Sequence, residues 1–166
     1  MRKILAASIA TSLFAVVGGA QAATTSTTFG VSATVLKTCT VSATALSFGN
    51  YTPGAGALAV STPISVRCTK STPFTVALNG GTTSGGTITQ RLMTNGTDTL
   101  QYNLYTTAAL ATVFGDGTTG ATGGGTGTGL ANAIAVTVFG NLPDNAANQS
   151  VSPGAYADTI NVTVTY

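Results

Sequence analysis

The 166-residue chain has no histidine and no tryptophan, and charged residues make up only 6 % of it, against about 25 % in an average globular protein. Glutamate is missing too: the acids are the four aspartates Asp98, Asp116, Asp144 and Asp158. Each absence excludes something. Without histidine there is no Ser–His or Cys–His nucleophile and no imidazole metal ligand. Four aspartates scattered through turn-like sequence pair no two carboxylates for glycoside hydrolysis; they read as Asx-turn residues. The chain is therefore expected not to be an enzyme and to hold no metal and no cofactor. Disorder is excluded from the other direction, since 43 % hydrophobic residues and 33 threonines are too apolar and too β-branched for an unfolded segment.

The charges that exist are balanced. Arg2 and Lys3 precede an apolar run, Ile4 to Val17, which ends at Gly18-Gly19 and a small-residue Ala20-Gln21-Ala22 site. This is the pattern of a secretory signal peptide over 1–22, and the run is too short for a transmembrane span. The exported chain then has four bases, Lys37, Arg67, Lys70 and Arg91, against four acids. Nothing in that balance forms a footprint for nucleic acid, and there is no basic patch for a membrane surface. Export also makes the two cysteines legible. Cys39 and Cys68 are the chain's only thiols and pair as a disulfide in an oxidising compartment.

From Ala23 onward apolar residues recur with a period of two, in short runs broken by Gly, Pro, Asn and Ser, and no stretch has the period of an amphipathic helix. Phe29, Val31, Ala33 and Val35 form one such run near the start, and Ile160, Val162, Val164 and Tyr166 form another at the end; both read as strands. Further strands are expected over 39–48, 58–68, 74–78, 88–93, 100–105 and 134–139. With no helix to cover a sheet, these point to an all-β sandwich or barrel. Residues 115–129 hold eight glycines and no aliphatic side chain larger than alanine, and read as a long flexible surface loop that adds nothing to the core. Gly115–Gly120 formally satisfies the dinucleotide pattern G-x-G-x-x-G, but the residues after it are again glycine-rich, where a helix is needed.

The apolar arm ahead of Cys39 needs a partner. It either starts the domain's own sheet or is donated to a neighbouring molecule by β-augmentation. Periodicity alone leaves both readings open.

A set of ordered motifs bears on the choice: Cys39-Thr40-Val41, Leu46-Ser47-Phe48-Gly49-Asn50-Tyr51, Ile64-Ser65-Val66-Arg67-Cys68, Tyr102-Asn103-Leu104-Tyr105 and the closing Gly154–Tyr166 run. Together they resemble the spore coat protein U domain family, which includes major pilin subunits of archaic chaperone–usher pili. The resemblance implies an incomplete immunoglobulin-like sandwich over 37–166, preceded by a donor-strand arm over 23–36. Phe29, Val31, Ala33 and Val35 would be the donor residues, and Ile160, Val162, Val164 and Tyr166 would line the acceptor groove. The implied partners are neighbouring copies of the same subunit, a periplasmic chaperone and an outer-membrane usher. The implied destination is a cell-surface fimbria serving adhesion or biofilm formation, with a spore or cyst coat or a secreted adhesin module as alternatives. The low charge fits a surface largely covered by copies of itself.

Overall fold

The computed structural model describes Gly19 and residues 21–166, so the expected leader over 1–22 falls almost entirely outside the described residues. The described residues up to Thr34 belong to one unit and Val35–Tyr166 to a second. In the first, Phe29, Val31 and Ala33 are exposed and no strand forms, and Val35 at the start of the second unit is equally exposed. The strand expected over 29–35 is thus absent from the chain. A two-residue period supplies the right side chains, but a strand exists only as part of a hydrogen-bonded ladder.

Residues 35–166 form an all-β sandwich. In chain order its strands are β1 (Cys39–Ala43), β2 (Leu58–Cys68), β3 (Pro73–Leu78), β4 (Arg91–Thr94), β5 (Thr99–Tyr105), β6 (Gly123–Thr126), β7 (Ile134–Leu142) and β8 (Val162–Thr165), with a single turn of 3-10 helix at Asn148–Ser150. Five strands make one sheet in the order β1-β2-β7-β5-β4, and three make the other in the order β6-β3-β8. Every strand pair is antiparallel. Alternation puts Ile64, Val66, Val136, Val138, Tyr102 and Leu104 of the large sheet against Phe74, Val76 and Leu78 of the small one, all buried.

Three strand ends differ from their sequence reading, each for a local reason. The ladder of β1 on β2 stops at Ala43↔Ile64, because the next pair would set Thr44 opposite Pro63, which has no N–H to give. The Thr62 hydroxyl donates to the Thr44 carbonyl at 3.0 Å instead. Residues 87–90 close on themselves through reciprocal bonds between Thr87 and Gln90, so β4 begins only at Arg91. β7 runs on through Gly140 to Leu142, a glycine that reads as a stop in the sequence. A Cβ there would sit about 3.0 Å from both Leu46 methyls, so the missing side chain makes room for the segment after β1 to lie across the sheet.

The larger correction concerns 115–129. Its glycines do enter the structure: β6 pairs along β3, with Phe74↔Gly125, Thr75↔Gly124 and Val76↔Gly123 in register. A Cβ at Gly123 would stand 2.5 Å from Val136 Cγ1 and 2.9 Å from Phe114 Cζ. Glycine is used here because backbone lies directly on the core, so the segment closes one side of the sandwich without offering a side chain to it. The dinucleotide-like Gly115–Gly120 leads into this strand and not into a helix.

Candidate functional site

The other side of the small sheet is not closed. β8 pairs with β3 only, through Leu78↔Val162 to Thr75↔Thr165. Asn79 N–H donates to the Asn161 carbonyl and Asn161 N–H to Asn79 Oδ1, so Asn161, and by strand alternation Thr163 and Thr165, turn their backbone groups toward β3. Val162 and Val164 then direct theirs outward, to an edge with no strand beside it among the described residues.

Facing that edge is β1, itself an edge strand. Val41 sits opposite Val66, which is fully buried, so Val41 points to the core side of the sheet. Yet it is 44 % exposed. A core-directed valine in the open means that a covering element is missing above it. Cys39 sits in register with Cys68 and is joined to it by a disulfide, which ties the start of this uncovered strand to β2 as expected from the sequence.

Between the two edges lies an apolar cavity of about 520 Å³, walled by Leu46, Phe48, Ile64, Val138, Ile160 and Val162 and floored by Tyr102 and Leu104. A second cavity of about 800 Å³ shares Leu46, Phe48, Met93 and Tyr156 with the first, making one continuous trough. Phe48 meets Tyr102 edge-on, with ring centroids 6.1 Å apart. Of the four residues expected to line an acceptor groove, Ile160 and Val162 line this cavity, and Val164 packs on the core. Tyr166 lies past the end of β8, 53 % exposed and outside the cavity. Leu46, Phe48 and Tyr102 line it as well; the sequence reading quotes them among its motifs but assigns them no place in a groove. The alternation Leu46-Ser47-Phe48 is the available signal, but it reads equally well as the continuation of β1.

The rim of the trough is held by carboxylates. Only Asp116 makes the expected Asx turn, accepting from the N–H groups of Thr118 and Thr119. The other three reach across the chain, which corrects the turn-residue reading. Asp144 accepts from the Tyr51 hydroxyl at 2.5 Å and from the N–H groups of Gly54 and Gly56, pinning the 50–56 loop. These bonds, the Tyr51 one foremost, hold its pKa down at about 2, while burial and the same carboxylate push the Tyr51 phenol up to about 12. Asp98 accepts from the N–H and hydroxyl of Ser152. Asp158 accepts from the Tyr102 hydroxyl and from Thr82 and Thr83.

Beneath the rim, Arg91 is fully buried. Its five N–H donors are all taken: Nε and Nη2 by the Asn79 carbonyl, Nη2 also by Phe114 O, and Nη1 by Ile88 O and Asn103 Oδ1. Burial draws its pKa down, partly opposed by the Tyr102 and Asp158 groups nearby. The residue knits three loops to β5. Among the described residues no three His, Cys, Asp or Glu side chains come together as a metal site. What the trough offers is an apolar channel beside an unpaired backbone edge, suited to an extended segment that supplies alternate apolar side chains and ladder hydrogen bonds.

Comparisons with known proteins bear on the fold and the family. No curated protein matches the chain. Among solved structures, it is similar to a chain of the CsuC–CsuE chaperone–tip adhesion subunit pre-assembly complex from archaic chaperone–usher Csu pili of Acinetobacter baumannii, with a TM-score of 0.54 and 24 % identity. The match covers 80 % of this chain but only 40 % of that one, and shows a shared immunoglobulin-like sandwich. A family model, the Spore Coat Protein U domain, matches residues 25–163, from the exposed arm into β8. By that match the chain belongs to the Spore Coat Protein U domain family.

Proposed function

We propose that this chain is an exported structural subunit of a surface fibre, in which the 23–36 arm of one copy fills the trough of the next. One observation carries the reading: an apolar trough lined by Ala43 at the end of β1 and by Ile160 and Val162 lies beside the unpaired outer edge of β8, while Val41 of β1 is core-directed yet exposed. The chain also contains the matching piece. Phe29, Val31 and Val35, each 85 % exposed, lie on one side of an alternating run with Ala33. That run and the Ile160–Tyr166 segment that contains β8 are both seven residues long, about 23 Å when extended.

In this reading Phe29, Val31, Ala33 and Val35 enter the neighbour's trough against Ile160, Val162 and Val164, with Tyr166 at its outer end. Gly30, Ser32 and Thr34 face away. A subunit with an open trough needs a holder before assembly, which supports a periplasmic chaperone and an outer-membrane usher as partners. The fold relative from chaperone–usher pili points the same way. The product is a fimbria serving attachment; a spore coat, which the family's description names, or a cyst coat would be assembled through the same trough. Genes for a chaperone and usher beside this one would favour the fimbria.

The test sets Val31→Asp beside Ser32→Asp and measures fibre yield and chaperone co-purification. Val31→Asp buries an unpaired carboxylate in the trough and should abolish fibres. Ser32→Asp should assemble, and both variants should still be captured by the chaperone. Normal assembly of Val31→Asp, or an equal defect in Ser32→Asp, overturns the proposed register.

A further inference from the structure

The lip of the trough is the segment Tyr156–Asn161, which leaves the large sheet and crosses to the small one before β8 begins. Three attachments hold it. Ala157 exchanges both backbone bonds with Thr94, at 3.0 Å each. Asn161 is bonded to Asn79 at the end of β3. Between them, Asp158 accepts the Tyr102 hydroxyl on Oδ2 at 2.6 Å, and on Oδ1 the N–H groups of Thr82 at 2.9 Å and Thr83 at 3.0 Å together with both threonine hydroxyls.

The loop is shaped around this carboxylate. Gly81 has a φ of +92°, and a Cβ placed on it would collide with Asp158 Oδ2, so only glycine permits the approach. Tyr102 belongs to β5 of the large sheet, while Thr82 and Thr83 follow β3 of the small one. The Asp158 side chain is therefore a polar tie between the sheets at the trough, and Asp158, Tyr102, Ala157, Thr159 and Ile160 all line the cavity.

We propose that Asp158 is an acid-released latch that positions the lip of the trough. As a carboxylate it accepts all five donors. Once protonated, it still faces two backbone N–H groups that can only donate, and it loses the charge that strengthened every bond. The titratable and charged groups around it are few. β5 brings Tyr102, whose phenol burial and Asp158 hold far above its usual range, and β4 brings Arg91, whose donors are already committed. The 79–83 loop brings none. On its own segment, Tyr156 donates its hydroxyl to the Ser152 carbonyl.

Burial pushes the Asp158 pKa up, but the bonds from Tyr102, Thr82 and Thr83 outweigh it and leave the group below the ordinary carboxylate value. The latch is therefore fully engaged above the unfolded-state value of about 3.9 and is lost as pH falls through the lower folded value. Release of Asp158 rests on contacts within one chain and not on the proposed assembly. That acid would loosen a neighbour's arm rests on the proposed assembly.

Hydrogen exchange of the full chain, corrected for intrinsic rates, separates the two. Between about pH 5 and pH 2.5, protection of 156–161 and 79–83 should fall about tenfold while β2 and β7 keep theirs. Asp158→Asn should make the lip's protection independent of pH. Tyr102→Phe, which removes one donor, should move the loss to higher pH. Simultaneous loss in β2 and β7, an unchanged lip in acid, or a wild-type pH profile in Asp158→Asn would each overturn the latch. Fibre yield at neutral pH reports on assembly alone, so failure there leaves these outcomes readable.

Discussion

The two edges of the small sheet are finished in opposite ways. On one, β6 lies along β3 and brings glycine backbone against Val136, Phe114 and Phe74, so the sheet is extended and the core beneath it sealed. On the other, β8 has no strand on its outer side among the described residues, and the trough beneath it leaves Ile160, Val162 and Val164 only partly buried. The contrast teaches where the fold is complete. A strand of glycines can seal a side because main-chain hydrogen bonds do the work and no side-chain volume has to be fitted. A side that lacks a strand leaves both a backbone edge and an apolar channel unmatched, and such surfaces drive association.

The contrast can be broken from the closed side first. Arg91→Met would leave the carbonyls of Asn79, Ile88 and Phe114 and the Asn103 amide without their shared donor. The expected loss is about 3–5 kcal/mol of stability, several unmade buried bonds at about 1–3 kcal/mol each less the relief of a buried charge. Urea unfolding measures it, and a loss below about 1 kcal/mol would mean the guanidinium is not what holds the loops.

Next comes the disulfide, which bears on the open side. Closing a loop of about 30 residues is worth roughly 3–4 kcal/mol in the chain-entropy model. Unfolding with and without reductant should show that difference, and β1, bonded to β2 alone, should lose hydrogen-exchange protection before β7. Equal protection in both strands would show that the clip does not act on the trough wall.

The smallest effects sharpen the comparison most. Gly123→Val forces a side chain into Val136 and Phe114 and should cost about 1–3 kcal/mol in the isolated chain. Val41→Ser, on the exposed wall, should change the isolated chain by no more than about 0.5 kcal/mol yet weaken capture of a strand by the trough. Thermal melts of the two variants, read beside their fibre yields, decide it. If Val41→Ser destabilises the chain as much as Gly123→Val does, the wall is already part of a finished core.

Much of this architecture is legible along the chain. The pattern Ile64-Ser65-Val66-Arg67-Cys68 states which face of β2 is buried, because a pleated strand alternates its side chains whatever it pairs with. The two cysteines name their own bond for want of any other thiol. The run Ile160, Val162, Val164 likewise gives the inward face of β8 and of the residues leading into it before any partner is known.

What periodicity does not contain is pairing. Phe29–Val35 and Val162–Thr165 have the same alternation, yet only the second is a ladder strand, since a strand is made by its neighbour's backbone as much as by its own side chains. The glycines of 123–125 have no pattern at all, and only the nearness of Phe74 and Val136 makes them a strand. Asp158 looks in sequence like any turn aspartate; its five donors come from positions 56 to 76 residues away and meet only when the two sheets close. Sequence by itself determined the faces and the disulfide, which are local or forced by composition. Tertiary structure alone decided which edges are covered, because hydrogen-bonded pairing and close backbone approach are properties of two segments at once.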